Sequence, residues 1–458
     1  MKKLLLLSLI LISLGSCKRT SKNSQLHNNI PVVKDSITVE GSILKFDLSR
    51  NEKYIQLTVS DFSGEQLVKS FQIDSDGKFR IRVYQPFEGD LYIKYQQTFT
   101  KLYGIPGDTL RIEIKGLDTL QSNNDEIQAY GKSANINNNI IRFSEQLKHD
   151  QANNQPTKLK SNYTDKEYAE NRLTKLADQL KLLEKYVTAN PSADKNFYRW
   201  AKNDLIYTAA KEIVVAPFFG RKSTSNNIQE LKQLIGNIAI ENPEAYHNSS
   251  YFDFLKYLTF SSQIMINITP AYQTRIRSMG NNPMNVYMAE IDQITSGIAK
   301  QLMYLNLYTT ANLKSAEAVY DQFSEHITDP VLIAQLKLKR ASMISPFKAF
   351  NVLDSINSSG ASKATKSKLS AIFAANKGNY IFIDFWGDWC SPCMKEILDY
   401  SSLIKSLNGK PIRFIFLSAS TTEESAINIK NKYGIQGTFI NLDENEIAVL
   451  QNVLGFNS

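Results

Sequence analysis

The chain has 458 residues, 42% of them hydrophobic and 21% charged, enough for roughly three domains with sizeable cores. Its formal net charge is +8, but Lys2 and Lys3 contribute to that, and the remaining basic residues form no run of the kind that grips nucleic acid, so no nucleic-acid partner is expected. Only Cys17, Cys390 and Cys393 carry sulfur for cross-linking, which excludes a framework of structural disulfides.

Residues 1–16 open with two lysines and continue as the apolar stretch Leu4 to Leu14, of signal-peptide length and too short to span a bilayer as a stable anchor. This reads as an export signal. The next step, Leu14-Gly15-Ser16-Cys17, resembles the bacterial lipobox, which implies that Cys17 is lipidated and becomes the first residue of the mature protein. Residues 17–35 are then a polar tether, and the folded head is expected in the bacterial cell envelope, lipid-anchored and facing the periplasm. A plain secretory signal with a leftover cysteine is the alternative.

Residues 36–117 are strand-rich. Ile55, Leu57 and Val59, then Phe79, Ile81 and Val83, then Leu91, Ile93 and Tyr95, then Leu110, Ile112 and Ile114 alternate with polar residues. Turn signals at Asp61-Phe62-Ser63-Gly64, Asp74-Ser75-Asp76-Gly77 and Pro106-Gly107-Asp108 separate these runs and predict a small antiparallel β-sandwich. In residues 118–354 the period turns helical, with Leu173, Leu176, Leu180, Leu183 and Val187 in one run and Ile291, Ile294, Ile298, Leu302 and Leu305 in another. Asn135 to Asn139, Ser223 to Asn227 and Gly280 to Pro283 read as loops, and Asn190-Pro191-Ser192 as the end of one helix and the cap of the next. The aromatic cluster Tyr251, Phe252, Phe254, Tyr257 and Phe260 is assigned to core rather than to a groove. Residues 355–368, rich in Ser, Ala and Lys, read as a linker.

The last domain, residues 369–458, starts with a short amphipathic helix through Leu369, Ile372 and Phe373. Tyr380 to Trp386 then reads as a strand buried on both faces, hence central in a mainly parallel sheet. Behind it Pro392 fits a first helical turn, and Met394, Ile397, Leu398, Ile404 and Leu407 recur at helical spacing until Asn408-Gly409. Cys390 therefore sits where a helix begins, and the unpaired N–H groups there stabilise a thiolate. Cys390 is the expected attacking thiol and Cys393, one turn on, the resolving one. Half a zinc site or two buried structural thiols are the alternatives. Zinc needs about four ligands, and no second Cys pair exists while His27, His149, His247 and His326 are scattered. No metal is expected. Ile412 to Leu417 predicts a second buried strand, Thr421-Thr422-Glu423-Glu424 a capped helix ended by Gly434, and Asp443-Glu444-Asn445-Glu446 another helix through Ile447, Leu450 and Leu454. The whole is a multidomain α+β chain: β-sandwich, helical middle, and a C-terminal α/β domain.

IDFWGDWCSPCMKE resembles the active-site segment of thioredoxin-fold proteins, in particular TlpA-like thiol-disulfide oxidoreductase lipoproteins. Asp76-Gly77-Lys78-Phe79 and Pro106-Gly107-Asp108 likewise resemble the N-terminal β-sandwich of many such lipoproteins. The resemblance implies that Asp384 is the buried acid that takes the proton of the resolving thiol, that Trp386, Trp389 and Pro392 border the substrate site, and that Glu396 is a catalytic acid as in relatives serving cytochrome c maturation. A strand-end acid at Asp384 and an ordinary first-turn acid at Glu396 are the plainer readings. The implied activity is reduction or exchange of disulfides in envelope proteins, with a membrane electron donor and no cofactor. Neither Ser391 nor Pro392 adds positive charge, so a reductant is expected. The family's fold also needs a cis-proline loop, expected soon after Leu454 to Ser458; a rival alignment makes Gly437-Thr438-Phe439 that loop with its proline missing, but the helical spacing and cap after Asp443 favour the first. In either case no proline follows Pro411, and activity of the 458-residue chain is therefore expected to be poor. The second function class is a non-catalytic binding or structural lipoprotein carrying a vestigial thioredoxin-like domain.

Overall fold

The computed structural model describes residues 36–454 apart from 48–52, 86, 97, 116–126, 154–162, 219–226, 269, 281–282, 311–319, 345–351, 360 and 420. The export signal, the Cys17 anchor site, the tether and residues 455–458 lie outside the described residues.

Among the described residues eight strands form the sandwich: β1 (Ser36–Leu44), β2 (Tyr54–Ser60), β3 (Gln66–Gln72), β4 (Lys78–Tyr84), β5 (Gly89–Tyr95), β6 (Thr98–Gly104), β7 (Thr109–Lys115) and β8 (Ile127–Tyr130). They make two sheets, ordered β4-β1-β7-β8 and β3-β2-β5-β6. Period-two alternation sends Ile55, Leu57 and Val59 of β2 and Phe79, Ile81 and Val83 of β4 into one shared core. One pairing is parallel, β1 with β7, placing Val39 beside Leu110. β8 comes from beyond the expected edge at residue 117. Its four residues are too few to declare a period.

The helical region corrects three local expectations. Asn135 to Asn139 is not a loop but the first turns of the helix Ala134–Asn153. Asn137 accepts from the Tyr103 N–H (2.7 Å) and donates to its carbonyl (3.0 Å), and Asn138 does the same for Ala129 (2.9 and 3.0 Å). Two adjacent side chains thus satisfy the backbone groups of one residue in each of β6 and β8, the edge strands of the two sheets, where an open edge would otherwise invite pairing. The helix Asp165–Ala189 ends at Asn190 as expected, but Asp194, not Ser192, caps the following helix Lys195–Val215 by accepting from Asn196 and Phe197 N–H. The run from Ile291 to Leu305 is two helices, Pro283–Ile294 and Gly297–Thr310. Gly297 adopts φ +64°, a turn conformation that costs glycine little. Tyr251, Phe252 and Phe254 of the helix Ser249–Ile268 belong to the main core, while Phe260, past the middle of the same helix, is 40% exposed.

A buried polar cluster joins sandwich and helices. Asp90 of β5 accepts from the Trp200 indole (2.6 Å) and from the Ser249 N–H (2.8 Å) and hydroxyl (2.7 Å). Lys101 of β6 lies 3.7 Å from Asp90 and 2.6 Å from Asp204. Burial pushes the Asp90 carboxyl up, opposed by the Lys101 charge.

Among the described residues the C-terminal domain holds a three-stranded parallel sheet, ordered β11-β10-β9, with helices on both faces; its strands are β9 (Tyr380–Trp386), β10 (Ile412–Ala419) and β11 (Thr438–Leu442). β9 is not central among the described residues: β10 is, and β9 pairs with β10 alone. Its apolar run reflects the helices packed on both of its faces. The stretch expected as a linker also proves structured. Val352–Ser358 and Lys363–Ala374 are helices, the latter capped by Ser362, and Ile356 is fully buried beside Leu369 under Ile415 and Leu417. Ser and Lys cover the wet side of those helices, which is why their composition resembled a linker. The helix Glu444–Leu454 completes that layer and packs on β3 of the sandwich, and Tyr54 of β2 joins the same cluster.

Candidate functional site

Strand parity sorts the C-terminal sheet into two layers. Ile381, Ile383 and Phe385 face the helices Lys363–Ala374 and Glu444–Leu454, whereas Phe382 and Trp386 face the helix Ser391–Ser406, and so does Asp384 between them. Asp384 is paired in register with Phe416 of β10. Around it stand Phe382, Tyr400 and Phe416, with Tyr400 at 5.4 Å from Phe382 and 6.0 Å from Phe416 between ring centroids. Burial in this aromatic layer, reinforced by the negative charge of Glu396, pushes the Asp384 carboxyl up to about 6. Glu396 itself is exposed one turn beyond Cys393.

The Cys segment leaves the end of β9 through a tight turn, closed by the Cys390 N–H donating to the Gly387 carbonyl (3.0 Å). Cys390 is the N-cap of the helix Ser391–Ser406, and its sulfur accepts from the Cys393 N–H at 3.3 Å. Pro392 occupies the first turn, where its missing N–H costs nothing. Cys390 and Cys393 are joined as a disulfide with Cα atoms 5.3 Å apart. Cys393 packs against the Trp386, Phe416 and Ile397 layer that also holds Asp384. The Tyr400 phenol is pushed up by burial and then by the Asp384 and Glu396 charges, which places it beside both carboxyls.

The two tryptophans part company. Trp389 is 70% exposed next to Cys390, while Trp386 is 4% exposed and edge-on to Phe439 at 5.5 Å. Trp386 is therefore a core wall rather than a surface for substrate, because it shares the inward parity of Asp384. Trp389 folds back over Gly387, where a Cβ would come within 2.6 Å of the indole Nε1. A polar cluster that the sequence does not announce lies beside this turn: Asp388 meets the Thr421 and Ser425 hydroxyls. Its one trace in the sequence is the doubled Thr421-Thr422, since Thr422 alone caps the helix Glu423–Tyr433. Among the described residues no group of three or more His, Cys, Asp or Glu side chains is placed to hold a metal ion.

Residues 378–458 match the family model described as thioredoxin-like. Over 60 residues the chain is 37% identical to the thiol-disulfide oxidoreductase ResA of Bacillus thuringiensis (strain Al Hakam) and equally to that of Bacillus anthracis, covering 13% of this chain and 35% of each relative. The ResA of Bacillus subtilis (strain 168) is 27% identical over 59 residues, covering 13% of this chain and 33% of its own. The chain thus spans about a third of the length of these curated relatives. No solved structure matches the chain significantly. The C-terminal part is a thioredoxin-like domain within a multidomain α+β chain.

Proposed function

We propose that the chain is a thiol-disulfide oxidoreductase of the bacterial cell envelope, tethered by a lipid on Cys17, which reduces or exchanges disulfides of other envelope proteins through Cys390 and Cys393. The observation that carries the reading is the Cys390–Cys393 disulfide across the first turn of a helix, with Asp384 in the layer against which Cys393 packs. The similarity of residues 378–458 to thioredoxin-like sequences and of a short stretch to ResA supports it.

In the reduced protein the Cys390 thiolate, stabilised by first-turn N–H groups, attacks one sulfur of a substrate disulfide. The substrate S–S bond breaks, one substrate thiolate leaves, and a mixed disulfide forms. Cys393 then gives its proton towards Asp384, which is mostly ionised at neutral pH yet basic enough to accept it. The Cys393 sulfur attacks Cys390, expelling the second substrate thiol and leaving the internal disulfide. The substrate has gained two electrons and two protons. An external dithiol donor on the membrane side returns the two electrons, and Glu396, exposed on the same helix, passes the proton to and from solvent.

Equilibration of the full chain with glutathione, with the Cys390–Cys393 pair quantified by mass spectrometry, tests this. A single two-electron transition more reducing than roughly −230 mV is expected, because neither residue between the cysteines, Ser391 or Pro392, adds a positive charge that would favour the thiolate. A potential near that of the strongest dithiol oxidants, about −120 mV, overturns the reductant assignment, and failure to form the disulfide at any poise overturns the activity.

A further inference from the structure

We propose that Asp388 is a positioning residue for Cys390: with Thr421 and Ser425 it forms a latch that holds the Gly387-to-Cys390 turn against the start of the helix Glu423–Tyr433 and keeps the Cys390 sulfur on the N-terminus of its own helix. This rests on the reading of Cys390 as the attacking thiol.

The contacts converge on one residue. The Asp388 N–H donates to the Thr421 hydroxyl oxygen (3.3 Å), that hydroxyl donates to Asp388 Oδ1 (3.3 Å), and the Ser425 hydroxyl donates to Asp388 Oδ2 (2.6 Å). Thr421 is 2% exposed and is itself fixed, since the Asn441 amide donates to its carbonyl and accepts from the Ser418 hydroxyl (3.3 Å). Ser418 and Asn441 lie near the C-terminal ends of β10 and β11, so the turn that follows β9 is tied to both neighbouring strands. Helix capping does not explain Thr421 or the Ser425 hydroxyl, because the Thr422 side chain and the Ser425 N–H already make that cap. What the latch secures is the turn closed by Cys390 N–H and Gly387 O, and beyond it the 3.3 Å approach of the Cys390 sulfur to the Cys393 N–H.

A thiolate owes its stability at a helix N-terminus to that approach, and the effect fades within the first turn. Thr421→Val keeps the volume and removes the hydroxyl, freeing the turn and leaving the Asp388 carboxylate less neutralised two residues from Cys390. Both changes disfavour the thiolate. Ser425→Ala does the same more gently at a surface position. Asp388→Asn acts in the opposite sense on charge and keeps an oxygen for Ser425 to bond.

The test is the pH dependence of iodoacetamide alkylation of the reduced full chain, read on the Cys390 peptide by mass spectrometry, alongside thermal melts. At neutral pH Thr421→Val is expected to slow Cys390 alkylation by about threefold to tenfold, the change in thiolate fraction that follows a rise of roughly half to one pKa unit, with Ser425→Ala changing in the same direction. Asp388→Asn is expected to react no slower than the wild type. A wild-type profile in both Thr421→Val and Ser425→Ala, whatever their melting temperatures, overturns the latch while leaving the Cys390 reading intact. An ordinary thiol profile in the wild type overturns both.

Discussion

Asp384 shows how a fold sets the chemistry of one carboxyl. Facing the Cys helix among Phe382, Tyr400 and Phe416, it is held near 6 where an exposed aspartate would sit near 3.8. The native state therefore keeps a proton that the unfolded chain has already lost between about pH 4 and 6, so stability falls as pH rises through that window. Asp384→Asn removes the penalty. After discounting for the group's partial exposure, the variant is expected to be more stable than wild type by on the order of 1 kcal/mol at pH 8 and to match it at pH 4, in denaturant titrations at the two pH values. The same substitution should slow disulfide exchange at neutral pH and erase an inflection near pH 6 in the rate profile. A faster variant with that inflection intact would contradict the proton-acceptor role. Asp384 was readable in advance because a charged residue inside an apolar strand is conspicuous; Asp388, in a turn where acids are ordinary, was not.

At the level of elements, the sequence was most legible where one period ran unbroken. β2, β4, β5 and β7 declared themselves by alternation, and the Cys helix by Pro392 and its apolar spacing. The failures have physical causes. Asn135 to Asn139 has the composition of a loop, but in Asn137 and Asn138 the amide mimics a peptide group and seals two sheet edges, a long-range partnership that local propensity cannot express. Asn137→Ala leaves the Tyr103 N–H and carbonyl buried without that partner and should cost about 2–4 kcal/mol in urea unfolding, whereas Asn138→Ala, half-exposed, should cost less. Equal, negligible losses would show that the edge is satisfied by other means. β11 was hidden because Gly437-Thr438-Phe439 has turn-like beginnings and the strand is only five residues long. The expected linker failed for a related reason, since the single buried face of a short helix, Ile356 in Val352–Ser358, is a weak signal beside many surface Ser and Lys.

Across the whole molecule, the thioredoxin-like domain meets the sandwich on the sheet face opposite the cysteines. Tyr54 of β2 and the helix Glu444–Leu454 make that contact, and burial, then the Asp443 charge, pushes the Tyr54 phenol up. Tyr54→Ala should lower the unfolding free energy of the C-terminal domain by about 1–3 kcal/mol without altering alkylation of Cys390, because the contact lies on the far side of the sheet. Altered Cys390 reactivity in that variant would mean that the sandwich communicates with the site. With the sandwich behind the sheet, Cys390 and the exposed Trp389 remain open to a partner protein. The proposed exchange chemistry is tested most directly by trapping: the full chain carrying Cys393→Ser, expressed in bacterial cells, should accumulate mixed disulfides through Cys390 that dithiothreitol releases and that a Cys390→Ser, Cys393→Ser double variant lacks. Absence of such adducts, or adducts that persist in the double variant, would contradict the account.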